Sequence, residues 1–146
     1  MATWQEPVFD RTQADVDYAK QQLANRVNYT YLKGCFNVTD VSRIENNTKF
    51  LADTLASLYY TSHVNKGGTW HNSSLLHQSQ ISRIINNVDI LWKAYYKPSG
   101  SATLPNTLLT FSQVNAIEKN HYLIKEMIDN MVGSFRECNT FSCGEE

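Results

Sequence analysis

The hydrophobic and polar positions of the chain follow one pattern three times. It consists of a hydroxyl residue, a polar residue, Val or Ile, Ser or Asn, any residue, Ile, two residues and then Asn. The copies begin at Thr39, Ser79 and Ser112. After each start the apolar residues recur at steps of three and four, the spacing of one helix face. A repeat of this kind predicts one structural unit used three times.

The repeat predicts a mainly α fold, a helical bundle built from repeated helix-start motifs. Three long helices are expected at about 40–60, 79–96 and 112–132, each capped by the hydroxyl residue that opens its copy. A shorter first helix, a weak further copy of the unit, is expected at about 12–27. Together these helices form one predicted domain over residues 1–133.

The apolar residues of each predicted helix form one narrow seam. Such seams are typical of bundles and coiled coils. Because narrow seams often need a neighbour to bury them, we expect a homo-oligomer or a subunit docked in a larger assembly. The seam positions, taken here as assembly contacts, are Val41, Ile44, Leu51, Ile81, Ile84, Leu91, Val114, Ile117 and Ile124.

An asparagine flanks the seam at the same place in each copy, as Asn47, Asn87 and Asn120. An asparagine beside a seam can hydrogen-bond a neighbouring backbone and fix the register of packing. It can equally lie on the helix surface and face water. The recurrence fits both interpretations, because a duplicated unit would also repeat it.

The residues after Gly133 predict a different structure. We expect Gly133 to end the last helix, and residues 134–146 to form an extended or hairpin C-terminal arm. An extended arm can add a strand to a sheet edge on a partner. The residues expected to dock this arm are Phe135, Cys138, Phe141 and Cys143.

Composition narrows the classes of partner. The formal net charge is −1 and only 18% of residues are charged, with no basic run, which argues against nucleic acid. No apolar run is long enough to span a bilayer, and residues 1–7 lack the features of a signal peptide. Eight Tyr and three Trp suit a protein interface or the core of a small domain.

Candidate chemistry is sparse. His63, His71 and His77 lie in one predicted loop, but their spacing is wide for a zinc site and no acid is interleaved. His121 falls on a seam and is expected to be a hydrogen-bonded core residue. No nucleophile elbow, phosphate loop, dinucleotide fingerprint or paired-carboxylate motif occurs. We therefore expect no catalytic residues, no metal and no cofactor.

Cys138 and Cys143 could bridge each other or bind a metal together with Cys35, but free thiols are the default expectation, because the number of cysteines is odd and no secretion signal is present.

Three segments together resemble a known group of proteins. They are Asp10–Ala19, Lys33–Asn47, and Leu109–Glu118 taken with the last residues Phe141–Glu146. The chain resembles small virion-associated proteins, or domains of them, encoded among the tail genes of tailed phages and prophages of Gram-positive, often gut-dwelling, bacteria. The resemblance runs over most of the chain, and its motifs are structural.

The chain departs from that group at four places. Members usually carry Asn where Ser42 and Ser82 stand, and an acid where Ile85 stands. The loop at 61–74 matches nothing in the group.

The resemblance implies a structural or adaptor protein of the virion, at the tail tip, baseplate or fibre, assembled in the bacterial cytoplasm. Its partners would be other virion proteins, and it would be no enzyme. Three alternatives stay open: a head-associated decoration or fibre protein, a module whose Asn- and Tyr-rich loops bind host-surface glycan, and a small hydrolase using the His-rich loop. Neither nucleic acid nor a membrane is expected as a partner.

Overall fold

The computed structural model describes residues 2–28, 31–71 and 76–142, which form four helices. These are α1 (Gln13–Ala24), α2 (Val38–Ser57), α3 (Gln78–Ala94) and α4 (Phe111–Ser142). Helices α2, α3 and α4 each pack against the other two. The predicted mainly α bundle is thus confirmed, and no strand occurs in the described ranges.

Each helix begins with the same capping arrangement. The backbone N–H of the residue before the helix donates to a side chain three positions later, at 2.8–3.0 Å. The pairs are Thr12 with Asp15, Asn37 with Asp40, His77 with Gln80, and Thr110 with Gln113.

The predicted caps Thr39, Ser79 and Ser112 are therefore wrong by two residues. They lie inside the first turn, because the acid or amide that follows each of them reaches back to the true cap.

The three seams meet in the interior of one chain. None of the nine predicted seam residues is more than 6% exposed. Full burial of a Leu or Ile side chain stabilises the fold by about 1.5–3 kcal/mol, so these residues are the main apolar contribution to folding. A surface for other chains must then lie elsewhere on the molecule.

Helix α4 does not end at Gly133 but continues to Ser142. A glycine inside a helix costs only about 1 kcal/mol relative to alanine, and no proline follows it. The predicted extended or hairpin arm is thus wrong as far as Ser142, and α4 crosses the predicted boundary at residues 133–134. Residues 143–146 lie outside the described part of the chain.

Three segments without helix or strand lie over the bundle. We call them strap A (residues 2–11), strap B (residues 60–71) and strap C (residues 96–110). Straps B and C lead towards α3 and α4, whereas α1 and a short connector stand between strap A and α2. The connector touches α1 at Gly34, where a Cβ would lie 2.1 Å from the carbonyl oxygen of Asp15. Only glycine fits that contact.

Candidate assembly site

The repeated asparagines each hold one strap. In each case the side-chain oxygen accepts the N–H of a strap residue and the side-chain nitrogen donates to the carbonyl of that same residue. The six donor–acceptor distances lie between 2.7 and 3.0 Å. We call each such pair an asparagine clamp; the clamps are Asn47 with Gln5, Asn87 with Asn65, and Asn120 with Ala102.

The clamps decide between the two interpretations of these asparagines. Asn47, Asn87 and Asn120 are at most 2% exposed, so they do not face water. A buried amide whose oxygen and nitrogen are both paired avoids the penalty of about 1–3 kcal/mol for an unsatisfied polar group. Their role is to fix the straps on the bundle, which confirms the backbone-binding alternative.

Beyond its clamp, each strap reaches a second helix. The contacts are the N–H of Val8 with Glu118, the indole N–H of Trp70 with Glu45 at 2.8 Å, and the carbonyl of Asn106 with Gln78 at 3.4 Å. Strap A therefore joins α2 to α4, strap B joins α3 to α2, and strap C joins α4 to α3. The helices and straps form an approximately threefold arrangement within one chain.

A second clamp occurs in one unit alone among the described residues. Asn115 accepts the N–H of Arg11 at 3.4 Å and donates to its carbonyl at 3.0 Å. The equivalent positions on α2 and α3 carry Ser42 and Ser82, whose side chains are too short for two such bonds. Ser42 lines an open cleft of about 380 Å³ and Ser82 one of about 650 Å³, each beside a strap.

Strap A also places a buried arginine between α2 and α4. The side chain of Arg11 is 2% exposed, and its Nη2 lies 3.0 Å from Asp40 and 3.4 Å from Glu118. Arg43 lies 2.6 Å from each of the same two carboxylates. We call this four-residue cluster of two cations and two anions the charged corner.

Hydrogen bonds keep Asp40 ionised in the charged corner. Burial alone would raise its pKa, but the backbone and side chain of Asn37, the guanidinium of Arg43 and the charge of Arg11 outweigh burial and lower it. The pKa of Arg43 is raised, mainly by Glu118, against the opposing effect of burial. Removing any one of the four charged groups would leave the other three with too few partners of opposite charge.

The Arg–Glu pair of the charged corner recurs at one of the other two interhelix corners and is absent from the third. Equivalent positions are counted from the start of each repeat copy. In the charged corner, the arginine at one such position faces a glutamate on the neighbouring helix. The equivalent position pairs are Arg43 with Glu118, Arg83 with Glu45, and Ala116 with Ile85. The third pair carries no charge, and Ile85 packs against the hydrophobic core.

A polar pair also lies in the central layer of the bundle. His121 is fully buried, and its Nε2 lies 3.0 Å from the hydroxyl of Thr48. That hydroxyl donates to the carbonyl of Ile44 at 3.0 Å, so the imidazole nitrogen must be the donor to Thr48. Burial lowers the pKa of His121 to about 4, which keeps the ring neutral near pH 7. It is a hydrogen-bonded core residue, as expected.

An exposed aromatic groove lies where α2 and α3 end beside α4. Its volume is about 720 Å³, and none of the described residues that line it carries a charged side chain. We call it the tyrosine groove; its aromatic and sulfur-containing residues are Tyr59, Tyr60, Tyr95, Tyr96, Met127 and Met131. Tyr95 lies between Tyr60 and Tyr96, with ring centroids 4.6 Å from each and the planes tilted by 54° and 52°.

Tyr59 stands out in this groove. It follows the last turn of α2 with φ +70°, and the N–H of Tyr60 bonds to the carbonyl of Leu55 at 2.8 Å. Glycine is the usual residue at this position of a helix end, and a non-glycine residue there costs about 1 kcal/mol or more. The ring of Tyr59 is nonetheless 95% exposed, so it contributes almost nothing to the core.

The other predicted site residues are placed as follows. Phe135, Cys138, Phe141 and Cys143 have side chains outside the described part of the structure, so their docking role stays a prediction. Cys35 is a half-buried free thiol, and burial followed by the nearby charge of Asp40 raises its pKa.

Within the described residues, no group of three His, Cys, Asp or Glu side chains is arranged to hold a metal ion. No helix there is both long and apolar enough to cross a bilayer.

Comparison of the chain with protein-family models, with curated proteins and with solved structures finds no match.

Proposed function

We propose that this chain is a structural protein of a bacteriophage particle, associated with the tail at the baseplate, tail tip or fibre. It acts by joining other virion proteins. The observation that supports this role most strongly is the closed strap-and-helix scaffold, in which clamps tie Gln5, Asn65 and Ala102 onto three mutually packed helices. The resemblance of its repeat segments to tail-gene products supports the same assignment.

The scaffold has the properties that an adaptor needs. Buried hydrogen bonds and ion pairs join segments far apart in sequence, such as Arg11 with Glu118. A rigid scaffold presents its surface with little loss of conformational entropy on binding. The tyrosine groove gives it an exposed uncharged surface, and interface cores are rich in aromatic residues and Met and poor in charge.

Purified phage particles provide the direct test. Particles from a bacterial strain that carries this gene are separated on a density gradient and analysed by mass spectrometry. We expect the chain at a fixed ratio to the major tail protein, and gold-labelled antibody against it at the tail. Presence in infected cells but absence from the particles would refute a virion role, and label on the head would place it there instead.

Light scattering on the purified chain tests self-association. The full chain is compared with a version that ends at Gly133. Loss of an oligomer in the shorter version would show that the last residues form the contact, whereas an unchanged oligomer would place the contact on the bundle. A monomer in both cases would contradict the predicted homo-oligomer and leave other virion proteins as partners.

A further inference from the structure

We propose that the tyrosine groove is a binding site for a neutral oligosaccharide. The groove itself is argued from the structure alone. That the sugar belongs to the surface of a bacterial host rests on the proposed virion function.

The charge of the lining selects the class of ligand. Among the residues whose side chains the structure describes, no Asp, Glu, Lys or Arg lines the groove, although charged residues make up 18% of the chain. A phosphate, an acidic sugar or a basic peptide would lose its hydration there without gaining an ion pair. A neutral ligand carries no such penalty.

The polar groups of the lining favour a sugar over an apolar protein segment. Of the eleven described residues that line the groove, seven carry a neutral hydroxyl or amide, including Asn130 and Ser134 beside the four tyrosines. The apolar face of a docked helix would cover these groups without pairing them, which is unfavourable. A sugar carries hydroxyls around its rim that both donate and accept, so it can pair them from many directions.

The tyrosine rings supply the other half of sugar recognition. A pyranose ring presents a face of C–H groups, which packs against the electron-rich face of an aromatic ring. Tyr59, Tyr96 and Tyr60 are 95%, 52% and 36% exposed. The rings of Tyr60, Tyr95 and Tyr96 are tilted against one another and do not stack face to face. The cavity volume of about 720 Å³ suits a ligand of two or three sugar units.

The backbone at Tyr59 is a second, independent observation. At φ +70° glycine would be the more stable residue, and an exposed ring there does not stabilise the core. Strained positions of this kind occur preferentially at functional sites. Ligand binding explains why a tyrosine stands at a position where it does not stabilise the fold.

The test uses the whole purified chain and NMR titration with defined trisaccharides. The probes are the neutral trimers of N-acetylglucosamine, glucose, galactose and mannose, with the trimer of galacturonic acid as the charged control. We expect at least one neutral trimer to bind with a dissociation constant of millimolar or tighter, shifting amide signals at 57–60, 95–96 and 127–134. The acidic trimer should not bind.

Two substitutions localise the site. Tyr96→Ala should weaken binding at least tenfold. Tyr59→Gly should weaken binding while raising the melting temperature by a few degrees, because it relieves the backbone strain. The matched control is Tyr18→Ala, since Tyr18 is 58% exposed but does not line the groove; its affinity should equal that of the unaltered chain.

Several results would overturn the proposal. They are absence of binding by all four neutral trimers, equal binding of the acidic trimer, or affinity that Tyr59→Gly and Tyr96→Ala leave unchanged. A fall in oligomer mass in these variants with no sugar binding would assign the groove to protein contact instead. The particle analysis described above tests the virion role separately, so sugar binding by a protein absent from particles would refute only that role.

Discussion

Two corners of the same bundle are built from opposite chemistry. Between α2 and α4, Arg11, Arg43, Asp40 and Glu118 form a buried cluster of balanced charge. Between α4 and α3, the positions equivalent to Arg43 and Glu118 carry Ala116 and Ile85.

The comparison shows that the interhelix packing does not itself require charge. Buried ion pairs contribute little net stability compared with apolar residues of similar volume, but removing one partner is strongly destabilising. The apolar corner carries neither partner, so it leaves no unpaired buried ion. The charged corner has an additional role, because Arg11 fixes the end of strap A there.

The largest effect should come from breaking the charged corner. Glu118→Gln leaves Arg11 and Arg43 with one carboxylate between them, and we expect the free energy of unfolding to fall by about 3–5 kcal/mol. Urea denaturation followed by circular dichroism measures this loss. The control at the apolar corner is Ile85→Val, with an expected loss of about 1 kcal/mol. Equal losses for both variants would contradict the distinction between the corners.

Acid should destabilise the fold by protonating His121 in the central layer of the bundle. The pKa of His121 is lowered from 6.5 to about 4 in the folded chain, so the unfolded chain binds more protons in that window. Stability is full above about pH 6.5 and should fall by roughly 3 kcal/mol by pH 4. The pKa of Asp40 is also lowered, so the stability that it contributes is present above its unfolded pKa of about 3.8 and is lost only in stronger acid.

The variant His121→Val isolates this effect, because it copies the equivalent Val88 of α3. Urea denaturation of this variant should show a nearly flat stability between pH 6.5 and 4. An unchanged slope would mean that other groups cause the acid sensitivity.

Removing one asparagine clamp should have an intermediate effect. Asn87→Ala leaves the N–H and carbonyl of Asn65 without their partners, and we expect a loss of about 1–3 kcal/mol. Hydrogen exchange should accelerate at the amide of Asn65 while the helix amides of α3 stay protected. The neighbouring Asn86→Ala, at an exposed position, is the control. Unchanged exchange at Asn65 would contradict the clamp.

The smallest net effect should come from converting the apolar corner into a charged one. Ile85→Glu alone buries an unpaired carboxylate, and Ala116→Arg alone adds an unpaired cation. If the corners are equivalent, the double variant should recover about 1 kcal/mol relative to the sum of the two single changes. A double-mutant cycle in urea measures that coupling, and a coupling of zero would show that the two positions do not face each other.

The periodicity of the sequence predicted the helices and the core. Apolar residues at steps of three and four placed Ile44, Ile84 and Ile117 in the interior, because that spacing has few other uses in a folded chain. It also located the repeat asparagines. Two local predictions were wrong, namely the hydroxyl caps and the stop at Gly133, because a side chain three residues into a helix and the residues flanking a glycine can override a single-residue signal.

The positions of the straps and the pairing of residues at the corners could not be predicted from the sequence. Nothing local to Arg11 indicates that its partner Glu118 lies 107 residues away, since such a contact depends on how the helices are arranged. The tyrosines were recognised as interface residues, but their convergence depends on where α2 and α3 end. The chemistry of the corners could have been predicted in part. When the three repeat copies are aligned, Ala and Ile stand at one pair of positions where the other two pairs have Arg and Glu.

The asparagine clamps have a consequence for how such a chain can change over time. Each clamp binds the backbone N–H and carbonyl of one residue rather than its side chain, which is why a glutamine, an asparagine and an alanine are held alike at Gln5, Asn65 and Ala102. The three clamped positions can therefore accept other residues without losing the clamps. The clamped strap residues and the asparagines that bind them lie on different segments of each unit. The strap side chains can therefore be substituted while the asparagines that hold the fold are kept.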